Sequence, residues 1–216
     1  MSMSSKPTPE SIAEALRTAI LRGQLKDNEP LRQDKIAADF GVSKVPVREA
    51  LAQLKSEGLI TLYLNRGAFV TGLSAAEAHE IYVIRSALEV IALEQAIPHM
   101  TRTDYVQAEN VLRLMDIETD TGQWGELNWQ FHVQLYRAAK LPHVLKILAP
   151  LHVSVTRYLV LYLDAMGFQA RSQEEHYAIL KACREHDTPT AVDLLKAHLQ
   201  QASATLVQFL TTKPQT

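Results

Sequence analysis

From Ser74 to Leu210 apolar residues recur at helical spacing, and no stretch alternates as a strand would. The pattern is broken at Pro98, Gly122, Pro142, Gly167 and Pro189, which divides this stretch into about six helices. Short connections predict that consecutive helices pack antiparallel as a bundle. Upstream the pattern is different, with short helices followed by two strand-like runs. The chain is therefore expected to be mainly α, with a small N-terminal module over residues 9–72 and an all-α domain over 74–211.

In the N-terminal module, PESIAEALRTAILR (9–22) places Ile12, Ala15, Leu16, Ala19 and Ile20 on one stripe, and Gly23 ends the helix. RQDKIAADF (32–40) reads as a second helix with Ile36, Ala37 and Phe40 inward, before a turn at Gly41. Then comes VSKVPVREAL (42–51). Ser43 can cap a helix with its hydroxyl. Pro46 falls in the first turn, where a missing N–H costs little because those amides have no intrahelical partner. The proline thus marks a helix start. Val47, Leu51 and Leu54 form the buried stripe, while Lys44, Arg48 and Lys55 lie on another face. LITLYL (59–64) and AFVTGL (68–73) read as strands joined by Asn65-Arg66-Gly67. Three short helices and a hairpin with a charged tip make a winged helix-turn-helix, whose third helix enters the DNA major groove. Tyr63 and Phe69 are expected to pack the wing, and Lys55 to be a solvated charge.

Charge agrees with that layout. The net charge is −2, but residues 1–72 hold 10 Lys and Arg against 8 Asp and Glu, and the remainder 12 against 16. Cys183 is the single cysteine, so no intrachain disulfide can form and a reducing compartment is expected. MSMSSKPTPE lacks an apolar core; residues 1–8 read as a disordered lead-in and not a signal peptide. The most apolar stretch, 144–166, contains Lys146, His152, Arg157 and Asp164, which excludes a membrane span. A cytoplasmic location follows.

Within the helical domain, Asn128 and His132 are four residues apart and share a helix face. His176 and His198 lie on two later helices, and bundles build metal sites by inward projection from several helices. No compact ligand motif such as HExxH is present, so spacing alone leaves a metal site and ordinary histidines both open. His79, His99, His143, His152 and His186 are expected at the surface or at helix ends. Arg85 stands in an apolar stripe of Ile81, Ile84 and Leu88. It is either paired with a carboxylate such as Glu89 or is a fork for a ligand carboxylate.

DKIAADFGVSKVPVREALAQLKSEGLI and NRGAFV together closely resemble the DNA-binding head of GntR-type bacterial regulators. IRSALEVIA (84–92), LNWQFHVQLYRAA (127–139), EEHYAIL (174–180) and AHL (197–199) resemble the all-helical FCD effector domain of the FadR-type branch. The resemblance implies DNA contacts from Ser43, Lys44, Pro46 and Arg48, with Arg66 and Gly67 on the wing. It implies a divalent transition metal, zinc or nickel, held by His132, His176 and His198 with Asn128, and it favours Arg85 as an effector-binding residue. It further implies a homodimer on a palindromic operator that responds to a small carboxylate. Three positions depart from the pattern. Lys44 stands where many relatives have arginine, as does Asp34, and Asn128 often corresponds to aspartate.

Three functions compete, the last of them a structural or interaction protein with an empty bundle. The first is a homodimeric transcription regulator, a repressor, whose helical domain senses a small organic acid through metal and arginine. The second is a metal-dependent hydrolase with an appended DNA-binding head, since an open metal site can activate water. Against the second, no general base adjoins the histidines in sequence and Cys183 has no partner suggesting a nucleophile pair.

Overall fold

α1 (Pro9–Leu21) begins at Thr8, whose hydroxyl accepts a hydrogen bond from the Ser11 amide. The computed structural model describes residues 7–166 and 168–212. Most of the expected lead-in (residues 1–6) and the break at Gly167 lie outside the described residues. α1 buries Ile12, Ala13, Leu16 and Ile20. Ala15, expected inward, is exposed, because the arc facing the core is centred on Ile12 and Leu16 and takes in Ala13 instead.

α2 (Gln33–Phe40) ends at Gly41, whose φ of 64° is the left-handed conformation that spares glycine the Cβ penalty. That turn sends the chain into α3 (Lys44–Ser56), which buries Val47, Ala50, Leu51 and Leu54 against α1 and α2. Ser43 occupies the N-cap, but its hydroxyl makes no capping hydrogen bond. The expected side-chain cap is therefore absent, and this hydroxyl is left exposed on the surface. Pro46 sits in the first turn, as its missing N–H requires.

The wing is built on a three-stranded antiparallel sheet, ordered β1-β3-β2. β2 (Ile60–Tyr63) and β3 (Gly67–Val70) pair with Thr61 opposite Phe69 and Tyr63 opposite Gly67. Both strands are shorter than expected. β1 (Pro30–Leu31), with Pro30 opposite Phe69, was not anticipated, since two residues carry no periodicity. Asn65 (φ 61°) and Gly67 (φ 91°) supply the reversed backbone of the wing turn.

Contacts divide the chain into two units, between Leu73 and Ser74. The second unit consists of α4 (Ala75–Ala96), α5 (Arg102–Ile117), α6 (Thr121–Tyr136), α7 (Pro142–Met166), α8 (Phe168–Arg184) and α9 (Thr188–Thr212). Short 3₁₀ turns follow α4 and α6. Ser74 with Glu77, and Thr101 with Asp104, form reciprocal caps that start α4 and α5. From α5 onward each helix packs against the next, but α4 packs chiefly on α9, so the first and last helices close the bundle.

The inward face of α4 differs from the expected stripe. Ala78, Tyr82, Arg85, Glu89, Ala92, Leu93 and Ala96 are buried. Ile84 is 38 % exposed, and Val83 and Ile91 are 57 % and 48 % exposed. α4 is apolar on two sides, and the side carrying Arg85 and Glu89 is the one that turns inward. Among the described residues no helix is long and apolar enough to cross a membrane.

Candidate nucleic-acid interface and metal centre

In the first unit, Gly41 and the helix start at Pro46 leave Lys44 and Arg48 one turn apart on the exposed side of α3. Each is engaged by a side chain of α2. Arg48 Nε donates to Gln33 Oε1 at 3.2 Å, and Lys44 Nζ lies 2.5 Å from Asp34 Oδ1. Arg66 extends from the wing, its guanidinium centre 5.7 Å from the Tyr63 ring and 5.8 Å from the Phe69 ring. Those two rings meet edge to face at 5.5 Å, so they pack the wing and also restrict Arg66. Ser43 and Gly67 are exposed beside these cations and Pro46 is half-buried. A cleft of about 780 Å³ opens among Arg32, Lys44, Arg48, Arg66 and Phe69.

In the second unit, α6, α8 and α9 each turn one histidine into the bundle. His132, His176 and His198 are buried, and one nitrogen from each lies within 4.8 Å of the others. The orientation of every ring follows from its Nδ1. The Tyr136 hydroxyl donates to Glu89 Oε2 at 2.6 Å, so its oxygen accepts from His132 Nδ1–H at 3.1 Å. His198 Nδ1–H donates to Glu175 Oε2 at 2.8 Å. Gln173 donates through its amide nitrogen to Leu112 O and Asp116 Oδ1, both at 2.7 Å. Its oxygen thus faces His176 Nδ1–H, at 3.4 Å. Each ring is therefore left with Nε2 as the lone-pair nitrogen when neutral.

His132 Nε2, His176 Nε2 and Asn128 Oδ1 are all buried without a hydrogen-bond partner. Each such orphan costs about 1–3 kcal/mol in a folded interior. Three buried imidazoles with nitrogens within 4.8 Å of one another, two of them with an unsatisfied nitrogen, match the donor set of a transition-metal ion, which takes neutral nitrogen as a ligand. The residues fit the ion.

Arg85 and Glu89 extend the network. Arg85 Nε donates to Glu89 Oε1 at 2.7 Å, and both side chains are buried, at 3 % and 0 % exposed. The ion-pair reading of Arg85 is thus present in the structure, with its guanidinium 4.9 Å from the Tyr82 ring. One hydrogen-bonded chain runs Arg85, Glu89, Tyr136, His132. Burial, with the Glu89 carboxylate close by, raises the Tyr136 pKa well above its usual range and keeps the phenol protonated. Sequence reasoning missed Tyr136, Glu175 and Gln173. The Tyr136–His132 spacing of four and the Gln173–His176 spacing of three were available signals, whereas Glu175 reaches His198 only through packing. His152 is a correction: expected near the surface, it is 3 % exposed and stacks on Trp129 at 4.6 Å. Burial pushes the Cys183 thiol up to about 12, which removes it as a nucleophile.

A family model described as "FCD domain" matches residues 80–201, which hold all three clustered histidines. One described as "Bacterial regulatory proteins, gntR family" matches residues 8–70. The chain is 26 % identical over 208 residues to the HTH-type transcriptional repressor RspR of Escherichia coli K12, spanning 95 % of this chain and 91 % of that one. It is 28 % identical over 208 residues to the gluconate operon transcriptional repressor of Bacillus licheniformis, spanning 92 % and 83 %. The crystal structure of a GntR family transcriptional regulator from Pseudomonas syringae pv. tomato shares 33 % identity at a TM-score of 0.60, covering 94 % of this chain and 86 % of that chain. The chain belongs to the GntR family of bacterial regulatory proteins and carries an FCD domain. It is a DNA-binding transcriptional regulator and not an enzyme.

The buried histidines set a pH dependence. Burial first, then neighbouring cationic groups, lowers the His132, His152 and His176 pKa values well below 6.5. Once unfolded, these rings take up protons below about pH 6.5. Stability is therefore retained above that pH and lost as pH falls through it, by about 1.4 kcal/mol per pH unit for each proton. Urea midpoints measured in EDTA at pH 7.5, 6.0 and 5.0 are expected to fall steeply; a flat series contradicts the burial of neutral rings.

Proposed function

We propose that the protein is a cytoplasmic, homodimeric repressor whose hold on a palindromic operator is controlled by a small organic acid bound at a metal ion in the FCD domain. The observation that carries this reading is the set of buried, unpartnered lone pairs on Asn128, His132 and His176 beside His198. His132, His176 and His198 would hold zinc or nickel through imidazole nitrogen, with Asn128 as a weaker oxygen ligand. When bound, the ion supplies a Lewis-acidic anchor for a carboxylate. Because Asn128 brings no charge, an anionic effector meets more positive charge than an aspartate would leave. Arg85 has two duties in this reading: Nε holds Glu89, and its remaining N–H donors meet a second anionic group of the acid. The Bacillus licheniformis relative is named for the operon of gluconate, itself a carboxylate. A coupling of about 1–3 kcal/mol between effector and operator suffices for control.

Metal analysis and effector response test this together. His176→Ala is expected to lose the metal, and Arg85→Ala to keep it but lose carboxylate-dependent release from DNA. Full metal content in His176→Ala contradicts the ligand set, and normal release in both variants contradicts the sensing mechanism.

On the DNA side, Ser43, Lys44, Pro46 and Arg48 are assigned to the major groove, and Arg66 with Gly67 to the wing contact. Arg48→Ala is expected to cost about 1–3 kcal/mol of operator binding through a lost base contact. Arg66→Ala should weaken binding to all sequences and flatten the log–log salt dependence by about one. Gel-shift titrations over a salt series read both, and an unchanged slope removes Arg66 from the phosphate backbone.

The dimer reading has its own support in α4, where Val83, Ile84 and Ile91 form an exposed apolar stripe on the side opposite Glu89. A second copy of the chain covering it would bury that area and give the two-fold symmetry a palindrome needs. Light scattering is expected to give the mass of two chains for the wild type and of one for Ile84→Glu/Ile91→Glu. A wild-type monomer, free and on DNA, would rule the dimer out.

A further inference from the structure

The cleft between the wing and the starts of α2 and α3 is walled by the cations Arg32, Lys35, Lys44, Arg48 and Arg66, and among its described residues Asp34 is the one carboxylate. On a face that meets a polyanion, such a group repels phosphate and reduces the counterion release that drives binding. Asp34 lies in the first turn of α2. Its Oδ1 reaches across to the first residue of α3, 2.5 Å from Lys44 Nζ. Both side chains are exposed, at 79 % and 53 %, so the pair adds little to folding stability. What it changes is the surface offered to a ligand. The neighbouring pair repeats the arrangement, Gln33 accepting from Arg48 one helical turn further along α3. Two consecutive residues of α2 thus hold the two cations in the first two turns of α3.

We propose that Asp34 and Lys44 act as one unit that reads a G·C base pair in the major groove, with Asp34 as a specificity-determining residue that lowers affinity for arbitrary DNA. This rests on the assignment of the N-terminal face of α3 to the major groove. The chemistry is matched. Guanine presents two adjoining acceptors, N7 and O6, which suit an ammonium, and its cytosine partner presents an N4 amino donor, which suits a carboxylate. At an A·T pair the two acceptors, adenine N7 and thymine O4, are separated by the adenine amino donor, so an ammonium paired with the carboxylate reaches one acceptor and not two adjoining ones. An unpaired Lys44 would bind any phosphate within reach. Paired with Asp34 it presents no net charge to phosphate, so the two bind where a base pair offers acceptors beside a donor, and G·C alone sets two adjoining acceptors next to one donor.

Full-length wild type, Asp34→Asn, Lys44→Ala and the double variant are each taken through selection on a pool of random-sequence duplexes. Binding to one mixed-sequence duplex lacking the selected motif is then titrated over a salt series. Asp34→Asn is isosteric and its site is exposed, so the fold is retained; thermal melts confirm this. The wild type is expected to select an invariant G·C pair in each half-site. In Asp34→Asn, preference at that pair falls by about tenfold. The same variant binds the mixed-sequence duplex more tightly, with a salt slope steeper by about one as Lys44 turns to phosphate. In the Lys44→Ala background, adding Asp34→Asn leaves base preference unchanged, because the two act as one. Wild-type preference at every position in Asp34→Asn overturns the proposal. If Lys44→Ala also keeps the wild-type motif and affinity, the docking face itself is misassigned, a separate failure from that of Asp34 alone.

Discussion

His132, His176 and His198 pack with ring centroids 4.7 to 5.4 Å apart in the interior of the helical domain, where a charged ring would face its neighbours with little solvent to screen it. That constraint shapes what surrounds them. Each Nδ1–H needs an acceptor, and Tyr136, Gln173 and Glu175 provide one apiece. The Tyr136 hydroxyl then needs an acceptor of its own, which is Glu89, and a buried carboxylate needs a cation, which is Arg85. The polar interior is one connected network. Among the described residues, the buried atoms without a hydrogen-bond partner include His132 Nε2 and His176 Nε2 in this network, the Tyr82 hydroxyl beside Arg85, and the Asn128 oxygen. Buried, unpartnered ring nitrogens on imidazoles that face one another mark that cluster as the place for a ligand.

The same network dictates the setting of α4. This helix has apolar residues on both sides, and burying Arg85 and Glu89 turns Val83, Ile84 and Ile91 toward solvent. An inward charge pair and an outward apolar stripe are the reverse of the usual arrangement. The two belong together: the charges are inside because the histidine network uses them, and the aliphatic groups are outside where another surface can cover them.

The DNA-binding unit uses polar side chains differently. Its core is wholly apolar around Ile12, Ile20, Val47, Leu51 and Leu54, and its polar groups work at the surface. There Gln33, Asp34, Tyr63 and Phe69 each restrict a cation: Arg48, Lys44 and, for the two rings, Arg66. In the proposed docking mode, restricting those side chains before DNA arrives would reduce the entropy lost on binding.

Local rules made much of this legible in the sequence. Glycine at 41 and proline at 46 mark the turn and helix start of the DNA-binding unit, and helical spacing puts Asn128 with His132 and Arg85 with Glu89 on shared faces, because those relations span one helical turn. The winged helix-turn-helix and the all-helical domain follow from such signals together with the family resemblance. Tertiary structure alone decided the rest. Which side of α4 faces inward is ambiguous in a helix apolar on two sides. β1 exists only because β3 lies beside it. Asp34 meets Lys44, and Glu175 meets His198, through the packing of separate helices. His132, His176 and His198 converge because α6, α8 and α9 bring together residues up to 66 positions apart, a distance over which periodicity carries no information.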